Sequence, residues 1–320
     1  MLTCQLPSEA TVTVLTAQHG RLCRLCGSST RSPECARIHS NVRRFLAQSF
    51  EMWRCGACGS LHSQPVEDLA GYYRGYPARR QGLGYHTRAW YGVVLRRLVR
   101  AGLGREDSLL DYGCGHGLFL EYLREKGYGR CHGYDAYEPH HADAALLADR
   151  YDCVVAMEVL EHAEDPSAML AGIKALVRPG GCIYLSMPNA DGIDLASPAR
   201  EMHAIHQPYH RHIPSLRAAC ALVAAQGLSL EEASDTTHMN HWWPATSERF
   251  VKEYSVLLEN VHDAVFEPPP IGRIIRSPRL WLEALAGYFL PRRGDYMTLV
   301  VRRPAGPAAP AANGAKGEAR

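Results

Sequence analysis

Short apolar runs alternate with amphipathic segments from about residue 87 to residue 303. Apolar residues recur at helical spacing between Trp90 and Leu98, which predicts a helix before the first strand of this region. Strands are predicted at residues 108–112, 131–136, 144–148 (a shortened strand), 151–157, 182–187, 228–233 and 296–302. Helices are predicted between several of them, at residues 118–126, 165–177 and 215–226. Because strands and helices alternate, we expect an α/β fold built on a doubly wound, mostly parallel sheet of seven strands.

The pattern also divides the chain into parts. A cysteine-rich unit near the N-terminus is expected to fold around its own small core. An insertion rich in tryptophan and proline is expected to cap one end of the sheet, and a tail of Ala, Gly and Pro is expected to be disordered. The predicted boundaries are 1–20 for a lead segment, 21–66 for the cysteine-rich unit, 67–86 for a connector, 87–303 for the sheet domain with 238–292 inserted, and 304–320 for the tail.

Charge is distributed unevenly along the chain. Residues 1–105 contain 15 Arg and 5 acidic residues, a net charge of +10, whereas the whole chain carries +2, so the remainder carries −8. Arginine suits phosphate and carboxylate groups, although a solvated arginine surface is an equally simple explanation. No apolar run approaches the ~20 residues that a membrane span requires, and no signal-peptide pattern precedes the cysteines. We therefore expect a cytoplasmic protein without a membrane span.

Eleven cysteines are a high and odd number, which favours metal binding over disulfides. Cys23, Cys26, Cys55 and Cys58 form two C-x2-C pairs that 28 residues separate, and a glycine follows each pair. Four thiolates give a closed tetrahedral shell, so the pattern predicts a zinc ribbon with structural rather than catalytic zinc. Two unconnected pairs of cysteines are the alternative.

A glycine loop joins the first strand of the predicted sheet to a helix, and it reads DYGCGHG over residues 111–117. Glycines at such a junction allow a tight turn and the close approach of a ligand to the backbone. The helix that follows offers free N–H groups at its N-terminus. Leu118 stands where a dinucleotide-binding loop has its third glycine, which argues against that cofactor class. Asp135 ends the next strand, where an acid can bind the ribose diol of a nucleoside.

The acid followed by G-x-G-x-G resembles motif I of the class I S-adenosylmethionine-dependent methyltransferases. Residues 151–162 end in EVLEH and look like the fourth-strand segment of the ubiquinone-type O-methyltransferases. Residues 176–181 look like the turn that follows this segment in the family. The resemblance covers about residues 85–303 apart from the insertion. It implies a Rossmann-like methyltransferase fold and S-adenosylmethionine as cofactor.

The resemblance also implies roles for individual residues. Asp111 and the glycines would hold the methionine part of the cofactor, and Asp135 would hold its ribose. The full implied set for the cofactor is Asp111, Gly113, Cys114, Gly115, Gly117, Asp135, Ala136 and Glu158. The adenine contact is not predicted, because only 16 residues separate Asp135 from Asp152.

Catalysis is expected from His162, Glu161 and His210. A histidine with a pKa near neutrality can remove the proton of an acceptor hydroxyl before the methyl group is transferred. If the segment after residue 157 is helical, Glu158, Glu161 and His162 share one face. These side chains, joined by His206 or His210 from the next loop, could then hold a divalent ion such as Mg²⁺, so a metal is an alternative to a lone base.

These features predict an enzyme that methylates a small-molecule hydroxyl, such as that of a sugar or a phenol. Two other functions stay open. The arginine-rich front could bind the phosphates of an RNA acceptor, and RNA binding would then weaken steeply with salt. A zinc ribbon could also serve a scaffold that binds a partner and does not catalyse, although a scaffold has no use for the glycine loop.

Overall fold

The computed structural model describes residues 21–31, 33–64, 69–74, 76–198, 201–236, 238–291 and 294–305. The predicted lead segment and the tail beyond residue 305 lie outside these residues. The strands are β1 Arg21–Leu22, β2 Ser29–Thr30, β3 Cys35–His39, β4 Ser49–Arg54, β5 Leu61–Ser63, β6 Leu109–Tyr112, β7 Cys131–Tyr134, β8 Tyr151–Met157, β9 Val177–Pro188, β10 His212–Ile213, β11 Ser229–Ser234 and β12 Tyr296–Arg302. The helices are α1 Leu69–Tyr73, α2 Tyr85–Arg100, α3 Leu118–Glu125, α4 Pro166–Leu176, α5 Met202–Ile205, α6 Leu216–Ala225, α7 Glu248–Leu257, α8 Ile271–Ile275 and α9 Pro278–Ala286.

Six strands form the central sheet, in the order β11-β12-β9-β8-β6-β7. Strands β9, β8, β6 and β7 pair in parallel, whereas β12 runs antiparallel to both of its neighbours. Helices α2 and α3 pack Leu98 and Phe119 on one face, and α4 and α6 pack Leu170 and Leu222 on the other. The predicted doubly wound, mostly parallel sheet is therefore confirmed.

The number of strands in this sheet is six rather than the predicted seven. Residues Ala144–Ala148, predicted as a shortened strand, form a 3-10 turn that Asp143 caps by accepting a hydrogen bond from the Ala145 N–H. A connection between parallel strands already needs a dozen or more residues. The 16 residues between Asp135 and Asp152 suffice for that crossover but leave no room for a further strand.

A second, antiparallel sheet joins the cysteine-rich segment to the central domain, with the strand order β10-β5-β4-β3. Strand β10 follows β9 in the chain, yet it pairs with β5 of the cysteine-rich segment, with His212 opposite His62. One buried apolar cluster contains side chains from both parts: Ile38, Met52, Leu61, Ile193, Ile205 and Ile213. The expectation of two separate cores is therefore wrong, because the two parts share this one.

Long apolar helices are not a feature of this fold. Among the described residues, no helix has the length and apolar character needed to cross a bilayer. Helices α7, α8 and α9 belong to the predicted insertion, and α7 and α9 pack against each other.

Candidate functional site

The glycine loop turns between β6 and α3 in a conformation that favours glycine at three positions. Gly113, Gly115 and Gly117 have φ angles of 81°, 53° and 85°. A Cβ atom on Gly113 would lie 2.4 Å from Val159 Cγ2, whereas a Cβ atom on Gly115 would have no atom within 4 Å. Gly115 therefore borders open space, where a ligand can approach its backbone closely.

Two acids flank the glycine loop. Asp135 accepts hydrogen bonds from the N–H groups of Gly115 (3.0 Å) and Tyr137 (2.8 Å), which fixes its carboxylate at the end of β7. Asp111 is buried, and this burial, reinforced by the charge of Asp135, raises its pKa to about 7. A cationic ligand group beside Asp111 would offset the cost of burying its charge. The pair therefore fits the methionine amino group and the ribose of S-adenosylmethionine.

One cavity of about 1370 Å³ extends from the glycine loop past the end of β8. Seven of the eight residues predicted to bind the cofactor line it: Asp111, Gly113, Cys114, Gly115, Asp135, Ala136 and Glu158. Gly117, the eighth, precedes α3 as its N-cap. The cavity is larger than the roughly 300–1,000 Å³ of a typical ligand pocket, which leaves room for an acceptor beside the cofactor.

Past the end of β8, the cavity borders an acid–histidine cluster formed by Glu158, Glu161, His162 and His210. We call this part of the cavity the acceptor side, because catalysis is predicted there. The α-helix considered for residues 158–162 is absent: Glu158 has a φ angle of 54°, and Leu160–His162 form a single 3-10 turn. Glu158 and His162 line the cavity, whereas Glu161 and His210 lie behind them. The Nε2 atoms of His162 and His210 lie 4.0 and 3.8 Å from Glu161 Oε1.

Burial controls the protonation of this cluster. It raises the pKa of Glu158 to about 7 and that of Glu161 well above its ordinary value. It lowers the pKa of His162 to about 4, so the imidazole is neutral at physiological pH. Both oxygens of Glu161 are buried without a hydrogen-bond partner among the described residues. Because such an acceptor is costly to leave unpaired, the site favours a proton or a cation beside Glu161.

Tyr73 in α1 also belongs to this side of the cavity, although the sequence did not single it out. Its hydroxyl lies 2.7 Å from His162 Nδ1, and its ring stacks on Tyr137 with the centroids 4.1 Å apart. The tyrosine-rich composition of the connector was the only available signal. Which of its tyrosines reaches His162 depends on the tertiary fold.

The remaining histidines of this region divide into two groups. His203 lines the cavity, together with His238 and His262 from the insertion. His206 is buried behind the cavity wall, with its Nδ1 atom 2.9 Å from Asn41 Oδ1. The insertion therefore supplies a wall of the cavity, a placement that its position in the sequence alone does not reveal.

The four paired cysteines converge on one point. Their Sγ atoms all lie within 4.8 Å of one another, with Cys23 3.6 Å from Cys58 and Cys26 3.7 Å from Cys55. Four sulfurs at 2.3 Å from a tetrahedral zinc ion would be about 3.8 Å apart, so the cluster fits zinc. Burial raises the pKa of the Cys55 thiol, but hydrogen bonds with the N–H groups of Cys58 and Ala57 and with the side chains of Thr30 and Cys58 together lower it to about 7.

A chain of buried polar contacts runs from this cysteine cluster towards the acid–histidine cluster. Cys23 Sγ lies 3.1 Å from His62 Nε2, and His62 Nδ1 lies 2.9 Å from His212 Nδ1. The residue before His212, Arg211, donates its backbone N–H to the carbonyl of Glu161 at 2.8 Å. The conformation around the cysteines is therefore coupled to the turn that carries Glu161.

The sheet domain is similar to known methyltransferases. Residues 86–233 match the family model of a methyltransferase domain. The chain is 28% identical over 167 residues to a ubiquinone biosynthesis O-methyltransferase of Aeromonas salmonicida, covering 44% of this chain and 68% of that protein. It is 36% identical over 102 residues to a protein of the same name from Aromatoleum aromaticum, covering 25% of this chain and 44% of that protein.

The chain spans about half the length of most of the curated relatives that it matches. It covers 44% of the Aromatoleum aromaticum protein and 47% of a further relative of the same name. Among solved structures, the Burkholderia thailandensis 1,6-didemethyltoxoflavin-N1-methyltransferase aligns at 16% identity with a TM-score of 0.40, covering 80% of this chain and 96% of that chain. The matched family region begins within α2 and ends within β11, so the cysteine cluster and the whole insertion lie outside it.

Proposed function

We propose that this chain, whose sheet domain is a class I S-adenosylmethionine-dependent methyltransferase, transfers a methyl group to the hydroxyl of a small molecule, with a phenol as the first candidate. The contact that carries the proposal is the one between the Tyr73 hydroxyl and His162 Nδ1 inside the cavity, at 2.7 Å. The Tyr73 hydroxyl, which is itself a phenol, contacts the nitrogen that a general base would use. This part of the cavity therefore suits a phenolic acceptor.

S-adenosylmethionine, when bound, supplies an activated methyl group on a positively charged sulfur. Asp111 and Asp135 would hold its amino group and its ribose, and the open space at Gly115 would admit it close to the backbone. The chain itself must then orient the acceptor and accept its proton. Positioning of this kind can provide several orders of magnitude in rate.

The proton of the acceptor hydroxyl would pass to the Tyr73 oxygen while the Tyr73 proton passes to His162 Nδ1. His162 is neutral before the transfer because burial lowers its pKa to about 4, and a negative charge beside it would have to raise that pKa for the imidazole to hold the proton. Glu161 has its Oε1 4.0 Å from His162 Nε2, and the imidazolium that forms would in turn favour the ionised form of Glu161, whose pKa burial otherwise raises. His210 would be a positioning residue for Glu161. Its Nδ1–H donates to the carbonyl of Ala204, and its Nε2 atom faces Glu161.

A second candidate for this cluster is a divalent metal ion. One ligand atom each from Glu161, His162 and His210 lies within 4.8 Å of the others, and the unpaired oxygens of Glu161 favour a cation. Two imidazoles and one carboxylate suit Zn²⁺, Mn²⁺ or Fe²⁺ better than Mg²⁺, which prefers oxygen ligands. Brief exposure to EDTA separates the two candidates, because a metal-free base keeps its activity.

We further propose one structural zinc ion at Cys23, Cys26, Cys55 and Cys58. Metal analysis of freshly purified, reduced protein should find about one equivalent, and less than half an equivalent would contradict the site. Reduced cysteines around a metal are typical of a reducing compartment, so we place the protein in the cytoplasm.

RNA methylation has weaker support than small-molecule methylation. Among the described residues, at least seven of the 15 arginines in residues 1–105 form ion pairs with carboxylates, which reduces the charge available to phosphates. The seven are Arg21, Arg43, Arg54, Arg79, Arg80, Arg88 and Arg97. An RNA acceptor would give a steep loss of affinity with rising salt.

The test is release of S-adenosylhomocysteine by the purified full chain against a panel of phenols, sugars and RNA. We expect turnover with a phenol or another small hydroxyl compound and little dependence on salt. His162→Ala should remove turnover while cofactor affinity stays unchanged. Turnover only with RNA, or full activity of the His162→Ala protein, would contradict the proposal.

A further inference from the structure

Helix α9 presents Trp281, Leu282 and Leu285 outward, whereas Leu280 and Glu283 are buried. Glu283 is buried and forms a two-pronged ion pair with Arg249 of α7, with Oε2 2.7 Å from Arg249 Nε. Leu282 and Leu285, on the opposite side, are 54% and 70% exposed. A surface helix of a globular protein normally has the reverse arrangement. The exposed leucines therefore indicate that another molecule contacts this side of α9.

Exposed apolar residues also flank α9 in the chain on both sides, and α8 packs against α9. Ile275 in α8 is 66% exposed, and Phe289 after α9 is 73% exposed. We call the whole set the α8–α9 surface, and its apolar members are Ile271, Ile275, Trp281, Leu282, Leu285, Tyr288 and Phe289. Clustered exposure of this kind marks an interaction site, whereas single exposed apolar residues are common.

The charges of this stretch are basic. Residues 268–294 contain five arginines and one acid, and that acid is the buried Glu283. Arg273 and Arg279 form ion pairs with Glu259 and Glu253, which lie outside the stretch. Arginines beside exposed Trp, Leu and Phe are typical of helices that lie in the interface of a lipid bilayer.

The α8–α9 surface also borders the cavity of the candidate active site. Ile274 lines that cavity, while its neighbour Ile275 belongs to the exposed face. Val265 lines the cavity and is itself partly exposed. A binding partner that covers the α8–α9 surface would therefore lie beside the wall of the cavity.

We propose that the α8–α9 surface docks the protein on an anionic lipid bilayer. The nine residues of α9 span about 14 Å, enough to lie along the interface but not to cross it. Anionic headgroups would attract the arginines, and the apolar side chains would enter the boundary of the acyl region. A second copy of the chain fits less well, because a two-fold contact would bring the arginines of both copies together without exposed acids from the same stretch.

The experiment is flotation of the purified full chain with two kinds of vesicle, one of phosphatidylcholine alone and one that also contains phosphatidylglycerol. We expect binding to the anionic vesicles that weakens with salt. Leu285→Glu should lower the bound fraction about tenfold or more, since it replaces a large apolar contact with a charge. The matched control is Leu230→Glu, at an exposed leucine of β11, which should bind as the unaltered protein does.

Affinity for S-adenosylmethionine serves as the folding control and should be the same in all three proteins. The proposal is overturned if the unaltered protein binds neither vesicle, or if Leu230→Glu lowers binding as much as Leu285→Glu. A dimer in solution that Leu285→Glu dissociates, without vesicle binding, would identify a second copy as the occupant instead. This proposal does not depend on the proposed methyl acceptor.

Discussion

The two sides of the cavity are assembled in different ways. The cofactor side comes mainly from one stretch of about 30 residues, in which β6, the glycine loop and the end of β7 follow one another. The acceptor side combines Tyr73 from the connector, His162 after β8 and His262 from the insertion. His210 supports it from behind. The first side is thus local in sequence, and the second depends on contacts between distant segments.

This difference predicts how each side responds to change. A substitution in the glycine loop should remove cofactor binding and little else, because the loop is supported by its own neighbours. Changes on the acceptor side, or in the cysteine cluster that is coupled to it, should spare the cofactor. The following experiments test that separation, from the largest expected effect to the smallest.

The largest effect is expected for Gly115→Val. Valine would place a branched side chain in the open space beside the loop and would have to adopt the φ angle of 53°. Calorimetric titration should detect no binding of S-adenosylmethionine. Gly102→Val is the matched control, since Gly102 also has a positive φ angle (100°), a Cβ there meets no atom within 4 Å, and the position lies away from the cavity. Equal loss in both variants would point to unfolding rather than to the cofactor site.

The next effect is expected for His162→Ala. Loss of a general base typically lowers turnover by about 10²–10⁴-fold. Measured with an acceptor found in the panel, turnover should fall by this factor while cofactor affinity is retained. His132→Ala, at an exposed position of the edge strand β7, is the control. If chelation and His162→Ala both abolish turnover, the result would favour a metal ion at this cluster over a metal-free general base.

Removal of the proposed zinc should act beyond the cysteine cluster. The chain shares one core between its two parts, and His62 and His212 couple Cys23 to the turn at Glu161. Chelation should therefore lower the melting temperature of the whole chain and reduce turnover more than cofactor affinity. Cys220→Ser, which changes a cysteine outside the cluster, should leave metal content unchanged. Unfolding confined to residues 21–66 would contradict the shared core.

Acid should destabilise the protein through its buried histidines. Their pKa values are lowered by burial, to about 4 for His162 and His262 and to about 3 for His238. The unfolded chain binds these protons near pH 6.5, so stability falls as the pH falls from about 6.5 to about 4. The loss is at most about 1.4 kcal/mol per histidine and pH unit.

Buried carboxyls oppose this effect. The pKa values of Asp111 and Glu158 are raised to about 7, so these groups favour the folded state as the pH falls towards 4.5. The histidines are more numerous, since His206 and His210 also have lowered pKa values. We therefore expect the melting temperature to fall between about pH 6.5 and pH 5. A melting temperature that rises over this range would show that the carboxyls dominate.

The smallest effect is expected for Tyr73→Phe. Removing its hydroxyl breaks the 2.7 Å contact with His162 but keeps the ring that stacks on Tyr137. If the hydroxyl relays the proton, turnover should fall about tenfold, in line with the roughly 1.5 kcal/mol of a good hydrogen bond. Unchanged turnover would mean that the acceptor reaches His162 directly.

The sequence was sufficient for the parts whose signals are local. The glycine loop, the paired cysteines and the limits of β8 and β12 were predicted from short patterns, and the structure has them at those places. The third strand was predicted wrongly because residues 144–148 are apolar enough for a strand, while the short crossover leaves no space for one. The shared core and the role of Tyr73 were missed because both arise from contacts between segments distant in the chain.

The most direct test of the central claim compares S-adenosylmethionine binding in the unaltered protein, Gly115→Val and His162→Ala by calorimetric titration. The account predicts one bound cofactor with the same affinity in the unaltered and His162→Ala proteins, and no detectable binding in Gly115→Val. Undiminished affinity in Gly115→Val, or a loss in His162→Ala as large as that in Gly115→Val, would contradict it.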